Sequence, residues 1–164
     1  MKHFVHRHQT TPTMRSVVLA GLGASLAVTI LAAISQFGSI ALLVAPFGAT
    51  CVLLFTAYTS PMSQPINVVG GHFVSALVGF LCHMILPANF VMDGLTVGLA
   101  VMAMMALRVV HPPAGATAMV AYINTTSWIF LFFPILIGSI LLVGLAMFYH
   151  AVTKTVYPLA LPKN

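Results

Sequence analysis

Pro46-Phe47-Gly48-Ala49-Thr50 returns 67 residues later as Pro113-Ala114-Gly115-Ala116-Thr117. Each copy lies in an apolar stretch, and each puts proline where a helix would otherwise continue. Proline cannot extend a helix inward but suits its first turn. The pattern therefore predicts a helix restarting at Pro46 and another at Pro113, inside the membrane. A restarted helix leaves its first backbone N–H groups, here on Gly48, Ala49, Gly115 and Ala116, without intrahelical partners. Together with the positive end of the helix dipole they make an anion site. Lipid cannot satisfy such groups, so protein, water or substrate must meet them. Glycine and alanine leave room for close approach, and Thr50 and Thr117 add hydroxyl donors. A kinked helix pair packed through small residues would use the same letters. Two copies at one offset favour a site.

The same offset pairs Thr29 with Thr96, Ala33 with Ala100, Gly71 with Gly138 and His83 with His150. An internal repeat over about 16–83 and 83–150 follows. Breaks at Ser35–Ser39, Thr59–Ile66, Pro87–Asp93, His111–Pro113 and Asn124–Ser127 leave apolar segments near 17–35, 40–58, 67–86, 94–110, 113–123 and 128–150. Most approach the roughly 20 residues that cross a hydrocarbon core. The fold class expected is an all-α membrane protein with about six membrane-embedded segments, two of them Pro-interrupted or short, forming two repeats. Three segments per half make the repeats inverted. Two crossings plus a re-entrant loop per half would make them parallel.

Composition decides the solvent. The 164 residues are 60% hydrophobic and 4% charged, where a soluble domain carries about 25% charged residues. Lys2, Arg7, Arg15, Lys154 and Lys163 cluster toward the two ends and read as cytoplasmic charges, not as a nucleic-acid patch. Basic termini require an even number of crossings. The Pro87–Asp93 loop has no Lys or Arg, which places it outside and favours the inverted arrangement. Val17–Ser35 is too long for a signal peptide and is followed by further spans, so it reads as a retained first helix. The organisation expected is a cytoplasmic tail over 1–13, a membrane domain over 14–155 and a C-terminal tail over 156–164, in a bacterial inner membrane. His3, His6 and His8 fall in the first tail.

Few side chains remain for chemistry. Arg108 and His111 flank the second break only, since their offset counterparts are Ala41 and Val44. An arginine at a helix end either snorkels to the interface or attracts an anion. Asn67 and His72 open the third segment with Gly70 and Gly71, and a buried histidine there needs a partner. His83 and His150, near span ends, read as interfacial anchors. Cys51 and Cys82 read as packing, as do Met102, Met104 and Met105. With Asp93 as the single acid and no nucleophile–base pair, an enzyme is not expected.

The run His111-Pro112-Pro113-Ala114-Gly115-Ala116-Thr117-Ala118 resembles the signature of the HPP family of integral membrane proteins. So do Ala45 through Phe55, and Ser60-Pro61 through Gln64-Pro65, Asn67 and Gly70-Gly71-His72. The likeness covers nearly all of 14–155. It implies about four spans, where the segment reading gives six, and it implies nitrite transport, as in plastid and cyanobacterial members. The family more often has a basic residue where this chain has Ile66, which bears on the substrate.

The reading is passive or proton-linked movement of a small inorganic anion between the two breaks. Pro46, Gly48, Ala49, Thr50, Asn67, His72, Arg108, His111, Gly115, Ala116 and Thr117 are the candidate substrate-binding residues. The partners expected are membrane lipid and nitrite, with no cofactor or metal; a homo-oligomer is compatible with the sequence. The alternative is a membrane b-type haem protein or accessory electron-transfer subunit using pairs among His72, His83, His111 and His150.

Overall fold

The computed structural model describes residues 2–7, 9–38, 41–124 and 127–160. His8, Ser39 and Lys163 lie outside the described residues. Every element among the described residues is helical: α1 (Lys2–Val5), α2 (Met14–Phe37), α3 (Pro46–Thr56), α4 (Pro65–Ile85), α5 (Phe90–Ala106), α6 (Ala114–Asn124) and α7 (Gly138–Val152). A 3-10 turn, Pro61–Ser63, precedes α4, and a π-helical stretch, Leu131–Ile137, runs directly into α7. Pro134 lies inside that stretch. Its ring would strike the Phe130 carbonyl in a regular α turn, and the wider π turn relieves the clash.

Among the described residues, three helices are long and apolar enough to cross a membrane: Met14–Phe37, Pro65–Ile85 and Leu131–Val152. At 17 residues, α5 falls a little short. α3 and α6 have 11 residues each, about 16 Å at the helical rise, or half a hydrocarbon core. Four longer helices and two half-length ones thus accommodate both the four spans implied by resemblance and the six segments read from hydropathy. As expected, α3 begins at Pro46, and α6 begins directly after Pro113. Leu22, Leu26, Met84, Met102, Ile140 and Phe148 are exposed on the outside of the bundle, the pattern of a surface solvated by lipid.

Close contacts fix the relative directions of the helices. His83 Nδ1 donates to Tyr122 O at 2.7 Å, joining the C-terminal ends of α4 and α6. Asn67 Nδ2 donates to Val110 O at 3.0 Å, joining the start of α4 to the loop before α6. α4 and α6 therefore run the same way. His150 Nε2 donates to Leu54 O at 2.9 Å, joining the C-terminal ends of α7 and α3. At the other end, a Cβ on Gly138 would fall 2.5 Å from a Phe47 ring carbon and 2.8 Å from Leu42 O. α3 and α7 are parallel as well. Gly71 of α4 repeats that approach, with a Cβ falling 2.7 Å from His111 Cβ and 2.8 Å from Val109 O.

Thr13, Arg15 and Ser16 at the start of α2 share a cavity with Tyr149, His150 and Thr155 at the end of α7. The start of α2 and the end of α7 therefore share one end of the bundle. We call this the N-terminal face. Tyr157 donates to Ser63 O at 2.9 Å, and Leu159 N donates to Gln64 Oε1 at 2.9 Å. These bonds bring the start of α4 to the same face.

Candidate functional site

The two Pro-x-Gly-Ala-Thr breaks meet across His72. His72 sits seven residues into α4, about 10 Å below its start at the helical rise. Its Nε2 lies 2.7 Å from Thr50 Oγ1 of α3, and its Nδ1 lies 2.8 Å from Thr117 Oγ1 of α6. Thr50 Oγ1 is also 3.1 Å from Nε2 of His111, whose Nδ1 is 2.8 Å from Met62 O. Thr50, His72, His111 and Thr117 are each 0% exposed. The His72 and His111 rings stand edge to face with centroids 4.9 Å apart, and Phe47 closes the other side of His72 at 5.1 Å.

Hydrogen-bond chemistry orders this chain. A carbonyl oxygen only accepts, so Nδ1 of His111 carries a proton and, in a neutral ring, Nε2 accepts. The Thr50 hydroxyl supplies that bond, which leaves Thr50 Oγ1 to accept from Nε2–H of His72. Nδ1 of His72 then accepts from the Thr117 hydroxyl. One direction thus satisfies every member, from Thr117 through His72, Thr50 and His111 to Met62 O. Thr50 also lies 3.2 Å from Pro46 O, a second acceptor for its proton.

The other candidates are placed differently. Pro46 is buried, but Gly48, Ala49 and Ala116 are exposed and Gly115 is half-buried. A Cβ on Gly48 or Gly115 would meet nothing within 4 Å. The unpaired N–H reading is corrected too. Gly48 N donates to Ala45 O at 3.1 Å, Gly115 N to Pro112 O at 3.1 Å and Ala116 N to Pro113 O at 3.2 Å. Tight turns at the helix starts satisfy these donors locally, and the glycines face outward. Asn67 holds the loop before α6 through Val110 O and does not enter the cluster. Ile66 is 67% exposed, so a basic residue at that position would face outward.

Arg108 is exposed, three residues before His111, with φ 59°. Arg108 N donates to Met105 O and Val109 N to Met104 O, which makes Arg108 the left-handed cap that ends α5. Lys154, with φ 57°, ends α7 in the same way. The left-handed conformation costs a non-glycine residue about 1–2 kcal/mol. Arg108→Gly is therefore expected to stabilise the protein by about 1 kcal/mol, read as a higher thermal midpoint in detergent. An unchanged or lower midpoint would show that the guanidinium makes a stabilising contact of its own.

His83 keeps its expected place near a span end, half-buried. His150 does not anchor at an interface: it is 1% exposed, with Nε2 on Leu54 O and Nδ1 2.6 Å from Thr155 Oγ1. Both ring nitrogens of His72, His111 and His150 are thus engaged, so the haem reading gains no support. Sequence reasoning missed Phe47, the Met62 carbonyl, and two buried hydroxyls with no partner among the described residues, Ser75 and Thr96. Ser75 lies one turn beyond His72 on α4. Spacing from His72 was the only signal that could have found it.

The family profile described as "HPP, transmembrane region" matches residues 9–158. The chain belongs to the HPP transmembrane family. Two curated relatives are named only as transmembrane proteins, both from Dictyostelium discoideum. One is 36% identical over 126 residues, 71% of this chain and 44% of the relative. The other is 36% identical over 106 residues, 60% of this chain and 34% of the relative. The chain spans less than half the length of either. No solved structure matches it. Within this HPP chain, both motif threonines and the histidine of the His-Pro-Pro run converge on His72 of the Gly-Gly-His run.

Proposed function

We propose that this HPP protein moves a small inorganic anion, with nitrite as the substrate the resemblance points to, together with a proton. The observation carrying this reading is the buried Thr117–His72–Thr50–His111 chain. The chain has an alternative, equally satisfied state with one more proton. If a proton joins Nε2 of His111, that nitrogen donates to Thr50 Oγ1, and the Thr50 hydroxyl turns to Pro46 O at 3.2 Å. No bond partner is orphaned, and the change reverses when the proton leaves. The added charge, however, needs compensation in an apolar interior. Asp93, the only acid, sits in the first turn of α5, at the end of the bundle away from the N-terminal face. An entering anion would provide the compensation.

Transport architecture supports the same reading. α2, α3 and α4 run away from, toward and away from the N-terminal face, and α5, α6 and α7 run in the reverse order. Gly71 against Val109 O and Gly138 against Leu42 O are contacts related by the repeat offset of 67 residues. Both features fit an inverted repeat, an arrangement common in secondary transporters. With basic charge at the N-terminal face, that face would be cytoplasmic in a bacterial inner membrane.

Liposomes loaded with a pH dye test the reading with nitrite, nitrate, formate and chloride side by side, against protein-free vesicles. Nitrite entry is expected to acidify the lumen by one proton per anion. Thr50→Val and Thr117→Val each remove one bond of about 0.5–1.5 kcal/mol and should slow that entry several-fold to about tenfold. Nitrite entry that builds a membrane potential without acidification would exclude the proton.

A further inference from the structure

We infer that the cavity at the N-terminal face is a binding vestibule for a small oxyanion or a phosphate headgroup. It holds about 210 Å³, bounded by the start of α2, the end of α3 and the end of α7. That is several times the roughly 30 Å³ share of one water, enough for a four- or five-atom oxyanion and its remaining hydration. Arg15 at the rim supplies a cation with a planar fork of donors suited to oxyanions. Tyr58 and Tyr149 line the wall, and their hydroxyls have no hydrogen-bond partner among the described residues. Thr155 and His150 form the floor, joined at 2.6 Å. Among the described residues no carboxylate lines this cavity.

The opposite end of the bundle provides an internal contrast. A second cavity of about 400 Å³ is lined by His83, Asn89, Phe90, Asp93 and Tyr122. His83 is related to His150 by the repeat offset, and Tyr122 is related to Phe55, which lines the first cavity. The two cavities are counterparts in architecture and opposite in charge: Arg15 stands at one and Asp93 at the other. Only the cavity with Arg15 has the sign and the free donors to hold an anion. This site is separate from the buried histidine chain and does not depend on transport.

Calorimetry on the full chain in detergent, titrated with sodium nitrite, sodium nitrate and inorganic phosphate, reads free-oxyanion binding. Native mass spectrometry with phosphatidylglycerol against phosphatidylcholine reads the headgroup source. Arg15 is exposed, so Arg15→Gln should fold normally. It is expected to weaken binding at least about fivefold, the scale of one lost charge-assisted hydrogen bond. Tyr149→Phe should weaken it less, and Asp93→Asn should leave it unchanged. Binding of the inorganic anions assigns the site to free oxyanions, and selective retention of phosphatidylglycerol alone assigns it to a headgroup. Binding of neither probe overturns the proposal, as does wild-type affinity in Arg15→Gln or an equal loss in Asp93→Asn. Intact binding in a protein that moves no nitrite would retain the vestibule and remove the transport reading.

Discussion

His72→Phe is expected to reduce nitrite flux to the level of protein-free vesicles and to lower the yield of folded protein. The phenyl ring fits the space beside Phe47, but both imidazole contacts disappear: Thr50 Oγ1 at 2.7 Å and Thr117 Oγ1 at 2.8 Å. A buried polar group left unsatisfied costs about 1–3 kcal/mol. Thr50 keeps His111 and Pro46 O as partners, so Thr117 bears most of the loss. His72→Gln separates structure from function. Its amide presents a carbonyl acceptor and an NH2 donor, matching the bonds of the neutral imidazole. It does not titrate, however, and cannot take a proton from the Thr117 side and release one toward Thr50 and His111. It should restore yield and monodispersity without restoring proton-linked flux. Wild-type flux in His72→Gln would make His72 a structural bridge and remove it from the mechanism.

Gly79→Val is expected to abolish recovery of monodisperse protein, the second large effect. A Cβ on Gly79 would overlap Ala118 O, and it would stand 2.8 Å from Ala121 Cβ. The first obstacle is backbone, which cannot rotate away, and overpacking of this kind costs at least about 1–3 kcal/mol. α4 and α6 would have to separate, taking His72 from Thr117. Gly48→Val and Gly115→Val should purify like the parent protein, since their side chains enter open space. Size-exclusion profiles of the three variants side by side check both halves of the statement. A monodisperse Gly79→Val protein would show that α4 and α6 can part without loss of fold.

Sequence periodicity and composition were enough for the helices because lipid imposes a simple rule. A chain that is 4% charged must hide its backbone bonds within helices, and prolines mark where those helices restart. Pro46 and Pro113 therefore located α3 and α6 closely, and hydropathy located the longer segments. Thr50, Thr117, His72 and His111 were legible as candidates because polar groups in apolar segments need partners. The partners themselves were not legible. Thr50 meets His111 across 61 positions and His72 meets Thr117 across 45, and no local pattern encodes which of several buried donors will face one another.

Helix phase decided the remainder. Gly48 and Ala49 adjoin Thr50 in sequence, yet successive helical residues are about 100° apart, so the threonine turns inward while its neighbours turn out. The expected anion cradle of glycine N–H groups gave way to a threonine–histidine chain for that reason. His150 shows the same limit: its place near a span end suggested an interface, whereas packing of α7 on α3 buried it against Leu54 O. By itself the sequence determined the solvent, the helix breaks and the residue types able to carry a charge. Only the tertiary structure decided which of them meet, because helix packing brings together faces contributed by segments far apart in the chain.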